Sequence, residues 1–428
     1  MPINAQANLW LLILCQCLYA GDLQKTRADD WNQWRGLGRN GVRQSAHVPL
    51  VWSEDENVQW STPLPGMGIS SPIVWKEQVI VAAAEKENPD QLHLLSFSLL
   101  DGDLQWHRHW WGTAPTRFHG SKSSMASPTP ITDGEHIYSF YGTGDVFCVT
   151  MSGEMVWQRS LATEYGKFEN RFSATSSPLL YGSLLILQCD HYGPSYALAI
   201  DKKTGQNVWK QDRPTTWLSW ASPQLIQTET RDELILSGAT RLDGLNPQTG
   251  ERYWTVAGMR RECIPTPLIA DGVIYAVSGP KGPTLAVRPG GRGDVTESHV
   301  LWSNPRGAPF VPSAVILGEY YYLVDDQGIA TCLDRKDGQR VWQKRLPGGY
   351  TASPIATGQH VFFMNEDGET MVLEGHRSKF KQVSRNRLDA PIYASAALTE
   401  SQLIIRTTQT LWCIGASLEP TGEAVPGG

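Results

Sequence analysis

Residues 199–209 read Ala-Ile-Asp-Lys-Lys-Thr-Gly-Gln-Asn-Val-Trp, and the chain writes this phrase repeatedly. Each copy specifies a β-hairpin. A short apolar run leads in, and Asp201 to Gly205 supply a turn in which glycine takes a positive φ without steric cost. The return strand ends in Trp209, whose indole needs a surface to bury against. A lone hairpin is marginal in water. Residues 244–254 repeat the phrase with Gly250 and Trp254, and residues 332–342 with Gly338 and Trp342. Looser copies end in Trp106, after Asp101-Gly102, and in Trp157, after Ser152-Gly153. Trp302 closes another, with a longer turn through Pro289-Gly290-Gly291. From Trp106 to Trp342 the steps are 51, 52, 45, 48 and 40 residues. That interval, built from short strands, is the spacing of β-propeller blades.

A second marker runs in step. Ser71-Pro72, Ser127-Pro128, Ser177-Pro178, Ser222-Pro223, Thr266-Pro267 and Ser353-Pro354 each lead into an apolar segment, and Ser313 and Ser395 hold the same place without proline. A glycine turn follows most of them, then a β-rich run such as 79–83, 184–187 or 320–324. Each unit is therefore strand, turn, strand, turn, hairpin: four strands per blade. The spacing predicts an all-β, eight-bladed propeller over residues 58–415.

The phrase resembles the PQQ-like (quinoprotein-type) propeller repeat, Ala-x-Asp-x-x-Thr-Gly-x-x-x-Trp, which residues 199–209 match at every fixed position. Residues 30–42, Asp-Trp-Asn-Gln-Trp-Arg-Gly-Leu-Gly-Arg-Asn-Gly-Val, are similar to the lead-in of exported PQQ-like propellers of planctomycete-type bacteria, with Leu37 in place of the usual proline. The arm over 21–57 is expected to pack Trp31 and Trp34 on the propeller without a ligand role. Val58-Gln59-Trp60 reads as a fourth strand with no blade before it, and the last unit stops after three strands. The two complete each other, which removes an exposed sheet edge. Residues 416–428 read as a disordered tail.

Residues 7–20 are apolar and uncharged, too short to span a bilayer, and read as an export signal cleaved near residue 20, although no basic residue precedes Lys25. The expected location is the periplasm or the cell envelope. Net charge is −6, which argues against a nucleic-acid binder, and no later apolar run is long enough for a membrane helix. Cys148, Cys189, Cys263, Cys332 and Cys413 form no disulfide framework and read as small buried residues. No Cys-x-x-Cys or His-x-x-x-His spacing suggests zinc, so no metal site is assigned.

The repeat residues Trp60, Trp106, Trp157, Trp209, Trp254, Trp302, Trp342, Asp201, Gly205, Gly250 and Gly338 are read as structural. No catalytic residue is assigned. Resemblance to quinoprotein alcohol dehydrogenases implies pyrroloquinoline quinone (PQQ) on a tryptophan, Ca²⁺ on carboxylate and amide side chains, a catalytic aspartate and an adjacent cysteine pair. The chain has no such pair and lacks those enzymes' long insertions. Resemblance to the propeller subunit of the outer-membrane β-barrel assembly machinery implies a scaffold for partners. The reading is a monomeric binding or scaffold protein with no cofactor, taking a protein or polysaccharide partner; the alternative is a PQQ- and Ca²⁺-dependent dehydrogenase. The connections from strand four of one blade to strand one of the next are unequal, longest over 110–126 and 160–176, and carry Arg117, His119, Lys122, Lys167, Arg171, Arg213, Trp217, Trp220, Arg260, Arg261, Arg306, Tyr350 and Tyr393. Bases outnumber acids there, so this face is expected to be positive and to bind an anionic partner, with Trp217 or Trp220 as a stacking plane for a quinone. The opposite face, with the strand-two-to-three turns, is the fallback.

Overall fold

Alternating strands joined by tight turns can only form antiparallel sheets, and the repeat spacing closes those sheets into a ring. The computed structural model describes residues 30–85, 90–114, 122–214, 218–388 and 390–416. The export segment over 1–20, the tail beyond Ala416, Arg117, His119 and Trp217 lie outside them. Among the described residues there are eight sheets, each built on four antiparallel strands. Blade 1, for example, runs Ile73–Trp75, Gln78–Ala84, Gln91–Ser98 and Leu104–Trp111. Blades 2 to 7 follow in chain order. Blade 8 has three strands from the C-terminal end, and Val58–Pro63 completes it by pairing antiparallel with Thr410–Gly415. The expected closure is therefore present. No described helix is long and apolar enough to cross a membrane.

The repeat phrase has a physical explanation. Each strand-four tryptophan lies on the hairpin turn of the next blade. An added Cβ on Gly205 would stand 3.0 Å from Trp157 Cδ2, and one on Gly338 2.6 Å from Trp302 Cε3. The indole N–H then donates to a turn carbonyl: Trp106 to Met151 at 2.9 Å, Trp157 to Lys202 at 3.0 Å, Trp302 to Arg335 at 2.9 Å. Burying each ring contributes about 2 kcal/mol. The residue paired across from the tryptophan must be small, and it is Cys148 for Trp157, Ala199 for Trp209, Gly244 for Trp254 and Cys332 for Trp342. All five described cysteines are buried and unpaired with one another. Asp201 holds its turn by accepting from the Lys203 and Thr204 amides at 3.1 and 2.9 Å.

Two copies depart from this pattern. The long turn of blade 5 turns back and adds Gly293–Asp294 as a parallel strand on the outside of blade 4. Trp254 therefore donates within its own blade, to Glu233 Oε2 at 2.7 Å. In blade 7 the turn glycine, Gly375, lies against Leu317 and not under the tryptophan, and Trp342 meets Phe380 edge-on instead, 5.4 Å between centroids.

The second marker forms a ring of its own. The backbone N–H of seven of the eight markers donates to the next marker's hydroxyl: Ser71 to Thr129, Thr129 to Ser177, Ser177 to Ser222, and so on to Ser395, at 2.9 to 3.0 Å, and the succession is open between Ser395 and Ser71. The blade 2 member is Thr129, before Pro130, and not Ser127; the tandem Ser-Pro-Thr-Pro offered both choices, and Thr129 alone stands directly before its strand, Ile131–Thr132. These hydroxyls tie the eight innermost strands together around the axis.

Antiparallel succession corrects one expectation. Strand two ends where strand one began, so the two-to-three turns share a face with the four-to-one connections. The opposite face carries the one-to-two and three-to-four turns. The N-terminal arm lies across that opposite face. Trp31 forms a two-way backbone bridge with Val74 of blade 1, and Asn32 bonds Thr132 of blade 2. Arg35 reaches the other side and donates to the Ala314 and Pro354 carbonyls of blades 6 and 7, and Val42 pairs with Ala356 of blade 7.

Candidate functional site

The inner strands start with the marker hydroxyls, so the residues just before them frame the mouth of the axial channel. Two positions ahead of each marker stands one lining residue per blade: Ile69, Ser127, Thr175, Trp220, Ile264, Val311, Thr351 and Tyr393. Together with the hydroxyl ring and Trp34 they enclose a cavity of about 110 Å³. The arm supplies the floor, and Trp34 is that floor. The sequence reading gave Trp34 a packing role only. Its neighbour Arg35 is fully buried among carbonyls with no carboxylate beside it, and burial lowers its pKa to about 9.

The described lining is hydroxyl and apolar, with neither a carboxylate nor a cation. A Ca²⁺-bound quinone needs carboxylate and amide ligands and a pocket of roughly 300 Å³ or more. The described residues do not fit that group. Trp220 is no open stacking plane either. It is buried, and its Nε1 donates to the Ser173 carbonyl at 2.7 Å.

The face around the mouth holds the other sequence-predicted residues, which stand apart on separate loops. Lys167, Arg171, Arg260, Arg261 and Arg306 are exposed. Arg171 lies 5.1 Å over the Phe172 ring, and Phe172 is 6.0 Å from Trp220, so these three do come together. Arg213 is different. It is buried in a bidentate pair with Asp190, at 3.0 and 3.1 Å, and a further bond to Asp243 at 3.1 Å. Its charge is spent between blades 3 and 4. Tyr350 is buried as well.

The two-to-three turns add acids that the sequence reading placed elsewhere. Asp325 and Asp326 belong to blade 6, Glu366 and Asp367 to blade 7. Glu366 accepts from Thr351 at 2.7 Å and pairs with Lys122 at 2.6 Å. Lys122 sits on the loop entering blade 2, so this pair reaches from one sector of the mouth to another. Asp326 takes the Phe310 N–H at 2.8 Å, and burial raises its carboxyl pKa. The face is therefore not uniformly positive. Exposed bases occupy the loops entering blades 3, 5 and 6, and acids mark the turns of blades 6 and 7. The signal was legible: two acidic dipeptides, each just past a strand two.

A family model described as outer membrane protein assembly factor BamB matches the chain over residues 48–198 and 126–344. Outer membrane protein assembly factor BamB of Kangiella koreensis is 21% identical over 226 residues, 52% of this chain and 44% of the relative. That of Alkalilimnicola ehrlichii is 33% identical over 139 residues, 30% of this chain and 34% of the relative. The chain thus spans less than half the length of these curated relatives. Among solved structures, BamB from Moraxella catarrhalis superposes with a TM-score of 0.60 at 15% identity, covering 84% of this chain and 97% of that one. A europium-containing methanol dehydrogenase superposes at 0.67 and 11% identity, covering 89% and 90%. At such identities the likeness shows the fold alone.

Proposed function

Since this chain belongs to the family described as outer membrane protein assembly factor BamB, we propose that it is a non-catalytic scaffold of the cell envelope that docks a protein partner on its four-to-one face. The observation that carries this is the split charge of that face. Lys167, Arg171, Arg260 and Arg306 are exposed on the loops entering blades 3, 5 and 6, with Glu169 and Glu262 among them, while other acids of this face are engaged: Glu164 with Arg159, Glu366 with Lys122, and Asp190 and Asp243 with buried Arg213. An acidic segment of a partner suits the basic sector. Arginines beside an aromatic are the side chains that anchor interfaces. The arm closes the opposite end of the channel, which leaves this face as the open approach to it. The hydroxyl and apolar lining supports a role without PQQ or Ca²⁺.

Such binding weakens with salt, because exposed charges are screened beyond about 8 Å at physiological ionic strength. Capture of envelope proteins at low and high salt, with the parent and the Arg260→Ala/Arg261→Ala double variant, tests the reading. The expected result is a partner held at low salt by the parent and lost in the variant, with unchanged melting. Protease treatment of the captured material separates a protein from a uronic or sulfated polysaccharide. Identical capture in all four conditions removes the basic sector from the site. Export is tested by fractionation.

A further inference from the structure

Blade 1 gathers three imidazoles that the docking function does not use. His107 and His109 are two apart on the outermost strand, Leu104–Trp111, so both leave the same side of the sheet. His93, on Gln91–Ser98, stands directly across from His109 in the antiparallel register and faces the same way. Trp106 and Arg108 leave by the other side, toward the Met151 and Gly153 carbonyls of blade 2. The histidine side therefore faces the seam with blade 8, where the two ends of the chain meet.

The three ring centroids lie 5.0, 5.9 and 6.2 Å apart. Three imidazoles bound to one tetrahedral zinc at about 2.1 Å hold their centroids about 5 Å apart. His93 Nδ1 and His107 Nε2 are already in contact at 2.8 Å. The far nitrogen of His93, Nε2, is buried with no hydrogen bond and faces Glu85 Oε1 at 3.7 Å. A carboxylate behind a histidine is the arrangement that orients metal-binding imidazoles. As the rings stand, no three ligating groups among the described residues close on one point. His93 Nδ1 and His107 Nε2 are hydrogen-bonded to each other here, so an ion shared by the three rings requires new rotamers of His107 and of exposed His109.

We propose that blade 1 binds one divalent first-row transition-metal ion, zinc foremost, through His93 Nδ1, His107 and His109, with Glu85 behind His93 and water in the fourth position. Three nitrogens with a tetrahedral spacing suit zinc better than the oxygen-seeking calcium or magnesium. The ion cross-links the two outer strands of the blade beside the closing seam. The signal in the sequence is His-x-His, the strand counterpart of the helical His-x-x-x-His spacing.

Cobalt(II) alone is the probe, added to the full chain. The expected result is one equivalent per chain with the strong visible absorption of a tetrahedral ion, displaced by Zn²⁺. His109→Gln and His107→Gln each remove a direct ligand, weaken binding by at least the roughly 10–100-fold that loss of an outer partner costs, and remove the absorption. Both sit on an exposed strand, and melting without metal checks that each variant folds. Absence of stoichiometric binding overturns the proposal. So does equal binding in folded variants, which assigns the ion to other side chains.

Discussion

The indole of Trp209 lies on Gly250 of the next blade, where a Cβ would meet Trp209 Cε3 at 2.6 Å, and its Nε1 donates to the Pro247 carbonyl at 3.0 Å. Gly250 holds φ at +74°. Two independent demands, left-handed backbone and no side chain, thus fall on one residue. Gly250→Ala is expected to cost about 1–3 kcal/mol, and Trp209→Ala about 3–5 kcal/mol. The two changes act on one contact and are not additive. Urea unfolding of both single variants and the double checks this; additive costs contradict the shared contact.

Closure of the ring makes the ends interdependent. Deleting residues 30–62 removes the outer strand of blade 8, the bridge from Trp31 to Val74 and the axial anchor of Arg35. The truncated chain is expected to lose cooperative unfolding. A truncated chain that melts like the parent contradicts the closure.

The hydroxyl ring contributes in smaller steps. Ser222→Ala leaves the buried Ser177 N–H without its acceptor at 2.9 Å. The expected loss is about 1–3 kcal/mol, read as a lower denaturant midpoint. Ser71→Ala is the comparison. Its hydroxyl is buried with no partner, so its removal is expected to cost less.

Acid should weaken the fold before carboxylates titrate. His191 is fully buried, stacked on Phe168 at 4.8 Å, and its Nδ1 accepts the Gly193 N–H at 3.1 Å. Burial lowers its pKa from 6.5 to about 4, as it does for His93. A depressed folded pKa means that the unfolded chain takes up protons first. Stability is therefore full above about pH 6.5 and lost as pH falls toward 4. Melting temperature measured across that window is expected to decline, and less steeply in His191→Asn. An equal slope in parent and variant contradicts the assignment.

Much of the fold was written in the chain because the blade contact is local in register. Turn, glycine and tryptophan recur at fixed offsets, and the unpaired strands at the two ends announce their own pairing. Three things were not legible, and a fourth, the charge of the face, was legible but misread. Thr129 could not be told from Ser127 without knowing where the strand begins. Arg213 reads as a surface base because its partners, Asp190 in a turn of blade 3 and Asp243 on a strand of blade 4, lie 23 and 30 residues away. The charge of the face was misjudged because the turns of blades 6 and 7 were assigned to the wrong side, although antiparallel order alone fixes them. Trp34 gave no sign of its place, since the arm's path across the channel depends on carbonyls of distant blades.

The central claim is that the four-to-one face docks the partner. The direct measurement is a photo-crosslinking residue placed at Arg306 on that face and, separately, at Lys336, exposed on the three-to-four turn of the opposite face. Irradiation of intact cells is expected to give a discrete protein adduct from position 306 and none from 336. An adduct from 336 alone would contradict the account.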